Sequence, residues 1–515
     1  MSFFHPSFLA FFTAAATAAT AAPIVAAVAR RFGVVDQPDG HRKLHSTAVP
    51  LTGGPTLSIA IVASLAATLF AFPEVLFSTK GDFRFLVCLA SAAAVIVLVG
   101  ILDDRFKLRG RQKLAGQFLA AVIMVPSGII LRRIEVFGIP VEFGDISPLI
   151  TIFWILGAIN ALNLIDGVDG LASTTGIVLS LSVAAVTYIL GGRPDGLLIS
   201  LALAGALCGF LLYNFPPAKM FLGDSGSMLI GLILGCVALK CSLKQYAAAA
   251  LIMPTAIWAI PIFDVLMAIV RRRLTGRSIY ATDRGHLHHC LTRQGHTGSR
   301  LLLVVGALCA LTGSGAIAAA AFGNELIALA AVLTAIALLV ITRSFGHAEL
   351  NLLTNRVRRF AGSLLRRPEG ERPVLHHEQV QLHGKLRWEG LWLTLTEFAE
   401  LYELDGVDLM INLPSLGEEY HGTWRTRSSV EHHEAWRSDI PLIVDGIRAG
   451  YVRLIGNAGE GSFCDWMTAI AEGLRPFDDE LRDIIQQIRA PKPVESLRDS
   501  TTRLQLPKLA ENATN

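Results

Sequence analysis

The sequence predicts an all-α polytopic membrane protein of about eleven transmembrane helices, followed by a C-terminal soluble α+β domain. Three observations carry that class. Hydrophobic residues make up 52% of the 515 and charged residues only 17%, and the mean hydropathy is +0.51, a balance foreign to a soluble chain of this size. Apolar runs near the length of about 20 residues that a bilayer crossing requires recur from the N-terminus to about residue 345. Beyond that point the apolar runs shorten and the chain reads as soluble.

The predicted spans are 7–29, 53–72, 85–102, 114–131, 148–165, 172–190, 196–214, 227–243, 247–270, 301–321 and 325–343. In the first, Arg30 and Arg31 follow the apolar stretch instead of preceding it, so it reads as a retained helix and not as a signal peptide. The sixth and seventh are divided only by Gly191, Gly192, Arg193, Pro194, Asp195 and Gly196, a plausible hairpin turn. With the N-terminus outside, the connections assigned to the cytoplasm hold most of the loop Lys and Arg, as the positive-inside rule requires. The net charge of +3 gives no sign of a nucleic-acid partner, and the basic residues cluster beside apolar segments, where they report orientation. The seven cysteines are Cys88, Cys208, Cys236, Cys241, Cys290, Cys309 and Cys464. They form no CxxC pair and read as small packing residues.

Residues 1–345 are therefore a membrane domain, and 346–374 a basic juxtamembrane linker whose Arg356, Arg358, Arg359, Arg366 and Arg367 suit an anionic lipid surface. Residues 375–490 form the α+β domain. Within it, Ile440–Gly456 reads as a hairpin turning at Asp445 and Gly446 or at Ala449 and Gly450. Asp465–Ile488 reads as a helix with Trp466, Ile470, Leu474, Leu481 and Ile485 near one face. Trp388, Trp392, Trp424, Trp436 and Trp466 are expected as packed core more than as a binding surface. The tail 491–515 is polar and expected to be disordered.

The chemistry concentrates in acidic motifs that end or open apolar runs: LDD at Leu102–Asp104, NALNLIDGVDG at Asn160–Gly170 and FLGDSGS at Phe221–Ser227. An even number of crossings separates each from the next, so all three share one membrane face. Carboxylates in that setting are costly and usually functional. Asn160, Asn163, Asp166 and Asp169 recur every three residues and form a polar stripe. Acids at a helix C-terminus oppose its dipole and call for a compensating cation or ligand. Asp103 and Asp104 precede the basic run Arg105, Lys107, Arg109, Arg111 and Lys113, a pattern that also fits a plain solvated loop. Asp224 opens a helix among small residues whose N–H groups can hold phosphate oxygens, although Asp and Ser there also fit an ordinary helix cap. Oxygen-only donors of this kind suit Mg²⁺ or Mn²⁺ in contact with substrate phosphates. The basic loops HRKLH, with Lys43 and His45, and DRGHLHH, with His286, His288 and His289, suit pyrophosphate binding.

Taken in order along Met1 to about His347, the motifs DQPDGHRKLHSTAVPLTGG, ILDDRFKLRGRQKL, NALNLIDGVDGLA, FLGDSGS and PIFDVLMAIVRRRLTGRSIYATDRGHLHHCL resemble those of the polyprenyl-phosphate N-acetylhexosamine-1-phosphate transferases. The resemblance implies transfer of a sugar 1-phosphate from a UDP-sugar to undecaprenyl phosphate at the cytoplasmic face of a bacterial inner membrane. UMP is released, Mg²⁺ is the cofactor, and a homodimer is expected. HLHH at His286–His289 resembles the branch that uses UDP-GlcNAc, whereas three consecutive histidines mark the phospho-MurNAc-pentapeptide branch. By that similarity Asp224 is the leading metal ligand, with Asp103 and Asp104 near the metal and acceptor phosphate. Asn163, Asp166 and Asp169 position donor and nucleotide. Lys43, His45, Lys113, His286, His288 and His289 bind phosphates or sugar. The resemblance does not reach past about Gly370. Two other classes compete: an ion-coupled transporter with a regulatory C-terminal domain, disfavoured because its carboxylates belong near the midplane, and a catalytically silent scaffold.

Overall fold

The computed structural model divides into two compact units, Met1–Val357 and Arg358–Asn515. In the first it describes residues 4–37, 48–73, 83–136, 139–191, 194–242, 252–274, 285–347, 349–350 and 354. In the second it describes 376–383, 388–402, 404–413, 418–426, 436–444, 447–456 and 474–489.

The first unit is helical: α1 Phe4–Arg31, α2 Gly53–Ala71, α3 Phe83–Phe106, α4 Gly110–Met124, α5 Ser147–Ile165, α6 Leu171–Ile189, α7 Pro194–Asn214, α8 Gly223–Ser242, α9 Ile252–Ile257, α10 Ala259–Leu274, α11 Leu287–Arg293, α12 Ser299–Phe322 and α13 Glu325–Ile341. Among the described residues eight of these, α1, α2, α3, α5, α6, α7, α8 and α12, are long and apolar enough to cross a membrane.

The other three predicted spans are represented by shorter helices. The run 114–131 is helical only to Met124 and then tightens into a 3₁₀ turn at Val125–Ser127. Pro126 has no N–H for the Val122 carbonyl one turn earlier, which accepts the Val125 N–H instead. The run 247–270 is described as α9 and α10, divided at Trp258. Pro261 has no N–H to offer the Ile257 carbonyl one turn earlier, and this weakens the ladder at that break. The last run gives α13, with 17 residues.

Helix α8 is the axis of the unit: 89% of its apolar window is buried, against 22% for α1. It packs on α3 and α5, while α1 packs on α7 and α2. Close approach to α8 is possible because α3 carries Gly100, where a Cβ would stand 2.2 Å from the Ser225 Cα. Short strands tie the same end together. β1 (Val35–Asp36) pairs antiparallel with β2 (Val49–Pro50), and Leu51 bridges to Phe221. A second ribbon, β3 (Arg133–Val136) with β4 (Ile139–Glu142), joins the opposite ends of α4 and α5. At the other end of α8 the buried Lys240 pairs with Asp195 of α7 and lies over the Phe85 ring. It is sixteen residues from Asp224, or about 24 Å of helix.

The second unit is α+β. Its sheet is antiparallel with order β5-β7-β6-β9-β8, from β5 His376–His383, β6 Gly406–Leu413, β7 Glu418–Arg425, β8 Trp436–Val444 and β9 Ile447–Gly456. The predicted hairpin is β8–β9, closed by the Val444 and Ile447 pair. Helices α14 (Glu389–Leu401) and α15 (Arg475–Arg489) contribute to its core. Trp388, Trp392 and Trp424 are fully buried there and Trp436 is half-buried, which makes them packing residues. Trp466, Cys464 and the tail lie outside the described residues.

Candidate active site

Three segments separated by up to 120 residues meet at one end of α8. Four residues after Gly100, one turn along the same face of α3, Asp104 reaches the α8 N-terminus. Its Oδ1 accepts the Asp224 N–H at 2.9 Å, and its Oδ2 accepts the Ser225 N–H at 3.3 Å and the Ser225 hydroxyl at 3.1 Å. A helix leaves its first N–H groups without internal partners. Asp104 satisfies two of them from another element, and the Asp224 side chain is thereby free of the capping role its position invites.

Asp103 faces a different set of partners. It accepts the Leu108 N–H at 2.8 Å, closing the turn between α3 and α4. Its other oxygen lies 3.1 Å from Lys113 Nζ. Lys113, in the first turn of α4, donates at 2.7 Å to Asp224 Oδ1, so one ammonium bridges two carboxylates from different helices. Asn163 on α5 also donates to Asp224 Oδ1, and to Ser227 Oγ at 3.0 Å.

Asp166 caps the C-terminus of α5. Burial, with Asp224 and Asp104 beside it, holds its carboxyl well above the usual carboxylate range. Asp169 accepts the Ala218 N–H at 2.9 Å and so ties the loop after α5 to the loop before α8. Asn160, the first member of the polar stripe, turns away and exchanges amide hydrogen bonds with Gln117 of α4.

These groups surround a cavity of about 660 Å³ whose lining includes Asp36, Asp104, Lys107, Asp166, Asp169 and Asp224. Asp104, Asp166 and Asp224 thus open onto one space. Asp103, Lys113 and Asn163 stand behind that lining and orient it. The histidines are not among the lining residues. His288 packs on Gly167, where a Cβ would meet its Nε2 at 2.4 Å, and His289 lies against His288 with ring centroids 4.2 Å apart. Burial and the neighbouring His289 push the His288 imidazole down to about 3, so it is neutral at physiological pH. His286 Nδ1 meets Asp264 Oδ2 at 3.1 Å, and Asp264 Oδ1 accepts the Leu287 N–H at 2.8 Å, capping α11. Lys43 and His45 lie outside the described residues.

Sequence reasoning did not single out Asp36, Lys107, Gln117 or Asp264 as site residues. Asp264 carried a usable signal, an acid inside an apolar run. Gln117 carried none. The donor set facing the cavity is oxygen only and crowded with negative charge, which suits a hard divalent cation. Among the described residues no group of three or more His, Cys, Asp or Glu is arranged to hold a metal by itself. An ion that keeps waters and substrate oxygens needs no such cage.

The chain is similar to proteins of known activity. Residues 86–242 match the family model described as glycosyl transferase family 4. The chain is 34% identical over 303 residues to a probable undecaprenyl-phosphate N-acetylglucosaminyl 1-phosphate transferase of Bacillus subtilis, covering 58% of this chain and 80% of that protein. It is 36% identical over 302 residues to a decaprenyl-phosphate N-acetylglucosaminephosphotransferase of Mycobacterium tuberculosis, covering 54% and 74%. A phospho-N-acetylmuramoyl-pentapeptide-transferase of Streptococcus pneumoniae is 35% identical over 254 residues, covering 46% and 73%. These similarities displace the transporter and scaffold readings. The chain belongs to the polyprenyl-phosphate N-acetylhexosamine-1-phosphate transferases, and is a multi-pass membrane enzyme that transfers a sugar 1-phosphate to a polyprenyl phosphate.

Proposed function

We propose that the chain transfers GlcNAc-1-phosphate from UDP-GlcNAc to undecaprenyl phosphate at the cytoplasmic face of the bacterial inner membrane, releasing UMP and starting an envelope polysaccharide. The observation that carries the reading is the convergence of Asp104, Asp166 and Asp224 on one cavity at one end of the helical unit. The donor assignment is supported by the names of the Bacillus and Mycobacterium relatives and by the HLHH spelling at His286–His289. The orientation rests on the excess of Lys and Arg in the inner connections, with eleven crossings and a cytoplasmic C-terminal domain.

In this mechanism an oxygen of the lipid phosphate attacks the β-phosphorus of the nucleotide sugar in line. The new P–O bond forms as the bond to the bridging oxygen breaks, and that oxygen leaves with UMP. Mg²⁺, or Mn²⁺ in its place, would be held by Asp224 and Asp104 with Asp166 alongside, and would supply neutralisation of charge on the pyrophosphate. Lys113 fixes the rotamer of Asp224 through their 2.7 Å ion pair, and Asn163 fixes it from the other side. Asp103 is engaged by the Leu108 N–H, by Lys113 and by the neighbouring Asp224 carboxyl. Its place is to hold the α3–α4 turn, and a lipid phosphate monoester, with a second pKa near 6, is largely dianionic at neutral pH and needs little help from a base. Neutral His288, packed against Gly167, orients the Asp166–Asp169 loop toward the donor.

The test is a donor panel with undecaprenyl phosphate and Mg²⁺ in detergent. UMP release from UDP-GlcNAc in preference to UDP-GalNAc and UDP-MurNAc-pentapeptide is the expected result. A preference for the pentapeptide would reassign the donor. Release from none of them would overturn the reading, and a phospho-enzyme labelled from the donor alone would replace direct attack with a two-step route.

A further inference from the structure

The histidine segment is gripped by α10 and by a residue beyond α13. Helix α10 presents Asp264 and, two turns later on the same face, Arg271. Asp264 holds His286 and the Leu287 N–H. Arg271 is 2% exposed, and its Nη2 donates to the Gly285 carbonyl at 2.8 Å, directly before His286. The fit leaves no room for a side chain at Gly285, where a Cβ would fall 1.5 Å from Arg271 Nη1. The Nε of the same guanidinium donates at 2.6 Å to Glu349, itself 4% exposed and lying beyond α13. Around this pair the segment after α13 also touches α10 and the end of α11. Phe345 meets Phe263 of α10 edge-on at 5.5 Å, and the Arg343 carbonyl accepts Gln294 Nε2 at 3.0 Å just past α11.

A guanidinium is a rigid planar fork, so fixing Nε fixes the direction of Nη2. We propose that Glu349 is a positioning residue: by orienting Arg271 it sets the Gly285 carbonyl and, through it, the placement of His286–His289 against Gly167. This rests on the reading that those histidines serve the nucleotide-sugar donor. Glu349 lies on the stretch that leads into the second unit, so the donor side of the site is tied to the chain segment preceding that domain. Without Glu349 the guanidinium loses the acceptor that fixes Nε, and its fork is no longer aimed at the Gly285 carbonyl.

The experiment compares full-length wild type, Glu349→Gln, Glu349→Ala and the double variant Arg271→Met/Glu349→Leu, which removes both charges and protects folding. Hydrogen–deuterium exchange of Leu287–Gln294 is read beside exchange in α8, and donor KM beside kcat and acceptor KM. In Glu349→Ala and the double variant the α11 amides exchange at least about tenfold faster with α8 unchanged, and donor KM rises about tenfold or more with kcat largely kept. Glu349→Gln, which retains an acceptor oxygen, recovers part of both. Unchanged exchange at Leu287–Gln294 in a folded double variant would overturn the proposal, as would faster exchange with an unchanged donor KM. Exchange that rises throughout the protein would reduce Glu349 to a general stability role and also overturn it. Wild type that releases UMP from no nucleotide sugar counts against the transferase reading and the donor role together, whereas exchange confined to the loop would still establish the clasp.

Discussion

Asp104 and Asp224 divide between them two jobs that one residue at a helix start performs alone. Asp104, from α3, accepts the Asp224 N–H at 2.9 Å and caps α8, which leaves the Asp224 carboxylate turned to Lys113, Asn163 and the cavity. Structure and chemistry therefore separate on substitution. Asp224→Asn is expected to keep thermal stability near wild type and to lower metal-dependent turnover by about a hundredfold or more, the scale of losing one electrostatic contact to the reacting phosphates. Asp104→Ala is expected to lose turnover and also about 1–3 kcal/mol of stability, because it removes charge-assisted bonds to buried N–H groups. Thermal unfolding measured beside UMP release checks both. An Asp224→Asn protein as unstable as Asp104→Ala would contradict the division.

Gly100 sets the approach of α3 to α8. An added methyl would stand 2.2 Å from the Ser225 Cα and 2.5 Å from its N, where only backbone can move. Gly100→Ala should displace the α8 N-terminus from Asp104 and lower kcat by about tenfold to a hundredfold, since misplacement of catalytic groups by about 1 Å has that effect. Steady-state kinetics beside Gly100→Ser and an alanine placed at Gly157, where nothing lies within 4 Å, separates crowding from a general loss of helix quality.

Much of the site is legible in the sequence because charge beside lipid is expensive: Asp103, Asp104, Asp166 and Asp224 stand out at the ends of apolar runs. Their roles relative to one another are not legible. Asp104 caps a helix through the N–H of a residue 120 positions later, and no local pattern records such a bond. The polar stripe illustrates the same limit. Spacing gives Asn160, Asn163, Asp166 and Asp169 similar standing, yet Asn160 turns to Gln117 and Asp169 to a backbone N–H. Helix ends were harder still: α3 continues through Phe106, so its acids lie within the last turn, because a polar last turn at the interface carries no hydropathic signal.

The C-terminal unit is outside the stretch that carries the family match and has its own packed core of Trp388, Trp392, Trp424 and Leu481. A domain with its own core folds by itself and is removable. Truncation after residue 369 keeps Glu349 and should leave UMP release within about twofold of full length in detergent, as expected for separable domains. A deeper loss would make the second unit part of the catalytic machinery.

His288 gives a pH signature. Its imidazole, pushed down to about 3 by burial and by His289, has an ordinary value near 6.5 once unfolded. Between those two values the unfolded chain binds a proton that the folded one refuses, so stability rises with pH across the window and falls as pH drops below about 6.5. The loss is on the order of 1 kcal/mol per pH unit until the folded value is approached. His288→Gln removes this titration and should make the unfolding midpoint fall less steeply between pH 7 and pH 4.5 than in wild type, the opposite contribution of the raised Asp166 carboxyl being common to both proteins. Equal slopes for the variant and wild type across that interval would mean that His288 is already protonated in the folded protein, and its packing against Gly167 would then need a different electrostatic account.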